Sequence, residues 1–64
     1  MIPKLKIGQR YELAHQRKGE IVGEFLGYHP TAAPDPDPVL WLFDLDGIGQ
    51  RLIRPSLVTE VRDG

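Results

Sequence analysis

Between Val39 and Leu45 every second residue is large and apolar, Val39, Trp41, Phe43 and Leu45 in turn, while Asp44 and Asp46 end the opposite register. A period of two belongs to a strand with one wholly buried face. The run passes through Asp46-Gly47-Ile48-Gly49, where glycine permits the positive φ of a tight hairpin, and then through a mixed run, a Pro55-Ser56 break and a last short run. The stretch 39–61 therefore predicts three consecutive strands, 39–45, 50–54 and 57–62, with a single 3₁₀ turn before the last.

The upstream half follows the same rule. Tyr11, Leu13 and His15 share one face and Arg10, Glu12 and Gln16 the other, which predicts a first strand over 9–16, and Arg17-Lys18-Gly19 makes its turn. In 19–28 the glycines Gly19, Gly23 and Gly27 fall four apart, a close-packing spacing on a helix. Glu20 and Glu24 interrupt the apolar face of such a helix, and Ile, Val and Phe favour a strand. On a strand all three glycines share the face of Ile21 and Phe25, where missing side chains let it coil sharply or accept a bulge. Tyr28 takes the opposite register and is expected to face outward.

Residues 29–38, HPTAAPDPDP, hold four prolines in ten positions. Proline lacks the donor for a sheet ladder, so this is a Pro-rich loop, and its Asp-Pro pairs favour an extended polyproline-II form that projects Asp35 and Asp37. Residues 1–8 read as an N-terminal arm. The expected core is Tyr11, Leu13, Ile21, Phe25, Val39, Trp41, Phe43, Leu45, Ile53, Leu57 and Val61. Leu40 and Leu42 fall on the face opposite Trp41, so the arm or another subunit is expected to cover them.

The 64 residues make one domain, near the size where a single core barely offsets the ordering of the chain. No cysteine is present, so burial must supply stability alone or with help from another subunit, and a reducing, cytoplasmic setting is expected. The sequence contains neither a membrane-length apolar run nor the apolar core of a signal peptide, so no membrane partner is expected. Charge is segregated along the chain. Residues 1–19 carry Lys4, Lys6, Arg10, Arg17 and Lys18 against Glu12, whereas 20–50 carry Glu20, Glu24, Asp35, Asp37, Asp44 and Asp46 with no Lys or Arg. If the first and fourth strands lie together, one pole of the domain is basic and the other acidic.

No residue set carries catalysis, a cofactor or a metal. Asp44-Leu45-Asp46-Gly47 resembles part of a calcium loop, but the register puts Leu42 and Ile53 where oxygen ligands are required. His15 and His29 have no cysteine partners for zinc, and no glycine loop runs into a Lys-Ser/Thr pair for phosphate. The expectation is a protein that is not an enzyme.

Five short strands, with Lys18-Gly19-Glu20-Ile21-Val22-Gly23, the Asp46-Gly47 hairpin and Ile53-Arg54-Pro55-Ser56-Leu57-Val58, resemble the Src-homology-3-like small β-barrels over residues 9–62. The fold expected is thus an all-β, five-stranded SH3-like small barrel. Within that group, Gly19 to Gly23 is similar to the second strand of the type II dihydrofolate reductases. Leu52-Ile53-Arg54-Pro55 falls where those enzymes have Gln-Ile-Tyr-Pro, with Leu and Arg replacing the Gln and Tyr, so that enzyme is a remote alternative. The chain also resembles nucleic-acid-binding barrels of the KOW, Tudor and Sm-like kind, which implies Lys18, Arg51 and Arg54 as phosphate contacts and Tyr28 as a stacking aromatic. Against strong nucleic-acid binding stand a pI near 6.0 and the acidic middle. The leading expectation is a non-catalytic protein-protein adaptor or inhibitor, of the sort common among bacterial and phage accessory proteins. It would bind another protein or a second copy through Asp35, Asp37, Leu40 and Leu42.

Overall fold

The computed structural model describes residues 4–64, and residues 1–3 of the expected arm lie outside the described residues. Its elements are β1 (Arg10–His15), β2 (Gly19–Pro30), β3 (Val39–Leu45), β4 (Gly49–Ile53), a 3₁₀ turn (Pro55–Leu57) and β5 (Val58–Asp63). All five strands form one antiparallel sheet in the order β4-β3-β2-β1-β5, and no α-helix occurs among the described residues.

The alternation read from the sequence is what the sheet buries. Leu13, Phe25, Trp41, Phe43 and Ile53, drawn from β1 to β4, are the largest fully enclosed side chains, and Val58 and Val61 of β5 pack against the same cluster. One face of a single sheet supplies this core from every strand, so the sheet curls around it. In the aromatic centre Phe25 and Phe43 are tilted to one another, 5.4 Å apart between ring centroids, and Tyr28 meets Phe25 edge-on at 4.9 Å. Val39, Leu57 and Val61, expected in the core, are only half-buried. Each stands beside an irregular element, the Pro30 junction, the 3₁₀ turn or the edge strand β5, where the sheet no longer covers both flanks.

Two glycines make this curvature possible. Gly23 lies between Tyr11 of β1 and Leu45 of β3, and a Cβ there would come within 2.9 Å of the Asp44 carbonyl carbon and the Leu45 Cα. Gly27 has a φ of 153° and marks a bulge, where the pairing of β2 with β3 shifts between Phe25 and Gly27. The bulge reverses the side-chain alternation beyond it. Tyr28 therefore pairs with Trp41 and shares the face of Phe25, which corrects the outward register expected for it.

One boundary of the Pro-rich loop also moves. His29 and Pro30, assigned to the Pro-rich loop, extend β2 and pair with Leu40 and Val39; Pro30 is tolerated because it is the terminal residue of the strand. The described part of the arm packs against the sheet. Leu5 is buried in the core, the Leu5 amide donates to the Tyr28 hydroxyl at 2.8 Å, and the Lys6 amide donates to the Tyr11 hydroxyl at 2.8 Å.

Candidate functional site

The loop 31–38 is folded down onto the chain rather than projected from it. Its base is closed by the Thr31 amide donating to Pro38 O at 3.2 Å, and its tip by the Asp35 amide donating to Ala32 O at 3.1 Å across a cis Ala33–Pro34 bond. Asp37 is 4% exposed, and its carboxylate accepts from Ser56 Oγ at 2.9 Å and from Arg54 Nη1 at 3.2 Å. Asp35 takes Arg54 as a fork, Oδ1 from Nη1 at 2.8 Å and Oδ2 from Nη2 at 3.2 Å. These hydrogen bonds from Arg54, and then the Asp37 amide, hold the Asp35 carboxyl below its ordinary range, while the two aspartates raise the Arg54 guanidinium above its own.

Two expectations are thereby corrected together. Asp35 and Asp37 do not form a free acidic projection, because Arg54 draws them back, and those same carboxylates occupy the Arg54 fork expected for phosphate. The sequence placed the three residues in rival sites; the structure joins them in one internal cluster.

The other proposed phosphate and stacking residues are dispersed. Lys18 lies in the β1–β2 turn and Arg51 on β4, with β2 and β3 between β1 and β4 in the sheet, so no common basic pole forms from them. Arg51 spends one Nη1 hydrogen bond on Gln50 O, at 2.7 Å. Tyr28 is 42% exposed, but its hydroxyl is engaged with Leu5 and its ring is packed on Phe25. Arg10 pairs with Asp46, and Arg62 with Glu12 and Glu20 at 2.6 Å each. His15 is buried, and its Nδ1 accepts the Arg17 and Lys18 amides at 3.1 Å each, which shapes the turn. Burial first, then the Lys18 and Arg17 charges, lower its pKa.

What remains open is the outer face of β2, β3 and β4. Leu40 and Leu42 lie there, half-buried, and Leu42 pairs with Leu52 of β4, which is 48% exposed. The described part of the arm inserts Leu5 into the core instead of covering them. At the β3–β4 turn Ile48, 51% exposed, stands at an opening of about 310 Å³ that is also lined by Glu20, Ile21, Val22, Leu45 and Asp46. Between the leucines and that opening Glu24 of β2 pairs directly with Asp44 of β3. β4 is a sheet-edge strand, so its outer backbone groups have no strand partner. Leu52 and Ile48 were not singled out by sequence reasoning. The available signal was the cross-strand register of the Asp46-Gly47 hairpin, which places Leu52 opposite Leu42.

No group of three or more potential metal ligands occurs among the described residues, and none of their helices is long and apolar enough to cross a membrane. No protein-family model matches the chain, and no curated protein or solved structure matches it either.

Proposed function

We propose that this chain is a non-catalytic protein-binding module, an SH3-like small barrel that docks another protein on the outer face of β3 and β4. The observation that carries the reading is the cross-strand pair of the half-buried Leu42 and the exposed Leu52, with half-buried Leu40 alongside, at an open strand edge among the described residues. Aliphatic side chains in that position are buried only in part by the domain, and they offer a partner apolar area on a rigid sheet. The strand number, the sheet order and the 3₁₀ turn before β5 support the SH3-like assignment.

The arrangement of cations favours a protein over nucleic acid. Arg10, Arg54 and Arg62 are each committed to carboxylates, and Lys18 and Arg51 stand on separated elements. Phosphate recognition needs several cations along one track. The test pairs two measurements on the full chain. Photo-crosslinking from position 52 in cells that produce the protein should yield a protein adduct, whereas crosslinking from position 17 should not. Titration of labelled RNA and DNA pools at low salt should show no binding. Binding that weakens steeply with salt and is lost in Lys18→Gln/Arg51→Gln would replace this reading with the nucleic-acid one.

A further inference from the structure

The outer face has an arrangement of charge that the domain itself does not use. Four rows cross β2, β3 and β4, each about 7 Å from the next along the strands. Val22 and Ile48 border one opening together with Glu20 and Asp46; Glu24, Asp44 and Gln50 form the next row, Leu42 and Leu52 the third, and His29 and Leu40 the fourth. Glu24 and Asp44 are direct cross-strand partners of like charge, an arrangement that destabilises a sheet. Neither has an ion pair among the described residues. Arg10 pairs across to Glu24 on the β1 side, but its guanidinium is bound to Asp46. One cation thus faces three carboxylates, and the row keeps a negative excess, with Leu42 and Leu52 on one side of it and Val22 and Ile48 on the other.

From this we infer that the partner segment docked on the face is basic and amphipathic: a Lys or Arg that settles over Glu24 and Asp44, with apolar side chains on either side of it, one set on Leu42 and Leu52 and the other beside Ile48. The inference rests on the protein-binding reading above and adds the partner's chemistry to it. The cation would relieve the Glu24–Asp44 repulsion, so the charges that weaken the free sheet strengthen the complex. The leucines hold the segment in place at salt concentrations that screen the charges. An acidic or purely apolar segment would leave two carboxylates covered and unpaired, which opposes binding.

The experiment is an amide-resolved NMR titration of the full chain with three synthetic peptide pools, alternating Leu with Lys, Leu with Glu, and Gly with Lys. The Leu/Lys pool should shift Glu24, Leu42, Asp44 and Leu52, and the other two should not. The double variant Glu24→Gln/Asp44→Asn should keep the fold and weaken the Leu/Lys pool by about fivefold, the scale of an exposed ion pair. It should also leave thermal stability equal or higher, which a structural role for these carboxylates would not do. Equal shifts from Leu/Lys and Leu/Glu at Leu42 and Leu52 would keep the docking face and overturn the basic partner. Equal shifts from Leu/Lys and Gly/Lys would overturn the amphipathic partner. Silence with all three pools, joined to no protein adduct from position 52, would overturn both readings.

Discussion

Replacing Gly23 by Ala adds one methyl group at the most closely packed point of the sheet. Gly23 sits on the central strand with β1 on one side and β3 on the other, and the new Cβ would lie 2.9 Å from both the Asp44 carbonyl carbon and the Leu45 Cα. These are backbone atoms of β3, which is itself held by β4, so no side chain can swing away to make room. Overpacking a rigid interior costs about 1–3 kcal/mol. Alanine at an ordinary backbone angle offsets about 0.4–1 kcal/mol of this by restricting the unfolded chain. With fixed backbone as the obstacle, the upper end of the range applies and the net loss is about 2 kcal/mol. A domain of 64 residues has about 3–10 kcal/mol in total, so this is a large share of it. In heat the loss appears as a fall of about 12 °C in the midpoint. Urea unfolding followed by the emission of Trp41, the single tryptophan and 1% exposed, reads the change directly. A Gly23→Ala variant with an unchanged or raised urea midpoint would refute the argument that close β2–β3 approach fixes this residue.

The remaining predictions are smaller or depend on conditions. His15 is held neutral in the fold, so the unfolded chain takes up its proton first; stability is full above the unfolded histidine pKa of about 6.5 and falls as pH drops below it toward the lowered folded value. Urea midpoints measured across that window should show the fall, and His15→Gln should flatten it; a slope unchanged in His15→Gln would assign the effect elsewhere. Arg54→Gln leaves the buried Asp37 carboxylate with Ser56 alone, so loop 31–38 should lose amide protection at Asp35 and Asp37 in hydrogen exchange while β3 keeps its own. Leu42→Ser/Leu52→Ser should fold as the parent does and abolish any self-association seen by sedimentation at high concentration. Equal sedimentation of parent and variant as associating species would place the sticky surface elsewhere.

The strands were legible in the sequence because their pattern is local. The alternation through Trp41 and Phe43, the Asp46-Gly47 turn and the Pro55-Ser56 break each declare themselves within a few residues, and β3 has the expected bounds Val39–Leu45. What misled was long-range. Tyr28 changed face because one extra residue at Gly27 shifted everything beyond it, and no local pattern announces a bulge whose position depends on the partner strand. Asp37 looked exposed because Asp-Pro repeats usually are, yet Arg54 and Ser56, remote in sequence, draw it inside. Leu5 alternates with Ile7 against Lys4 and Lys6, which suits a short edge strand or a packed arm alike, and the Tyr28 hydroxyl that meets the Leu5 backbone shows how the arm is fixed. Of the candidate site, Leu40 and Leu42 could be read from alternation alone. Leu52, Glu24 and Asp44 join them only once the register of β2, β3 and β4 is known.

The placement of β5 against β1 gives the domain a mechanical character. The two strands run antiparallel with Tyr11 opposite Asp63, and the Gly64 amide still donates to Arg10 O at 3.1 Å. A pull applied through positions 10 and 64 acts on neighbouring points at one end of this ladder, across the strands and not along them. Its rungs are then loaded in succession, the Gly64 bond first and the Leu13–Val61 pair later, so the sheet peels like a zip at low force. The same chain held at residues 18 and 64 is loaded between sites lying toward opposite ends of the β1–β5 ladder, where many rungs share the strain at once. Anchored at residues 10 and 64 the domain is a weak link in series, and anchored through the β1–β2 turn and residue 64 it is a stiff one.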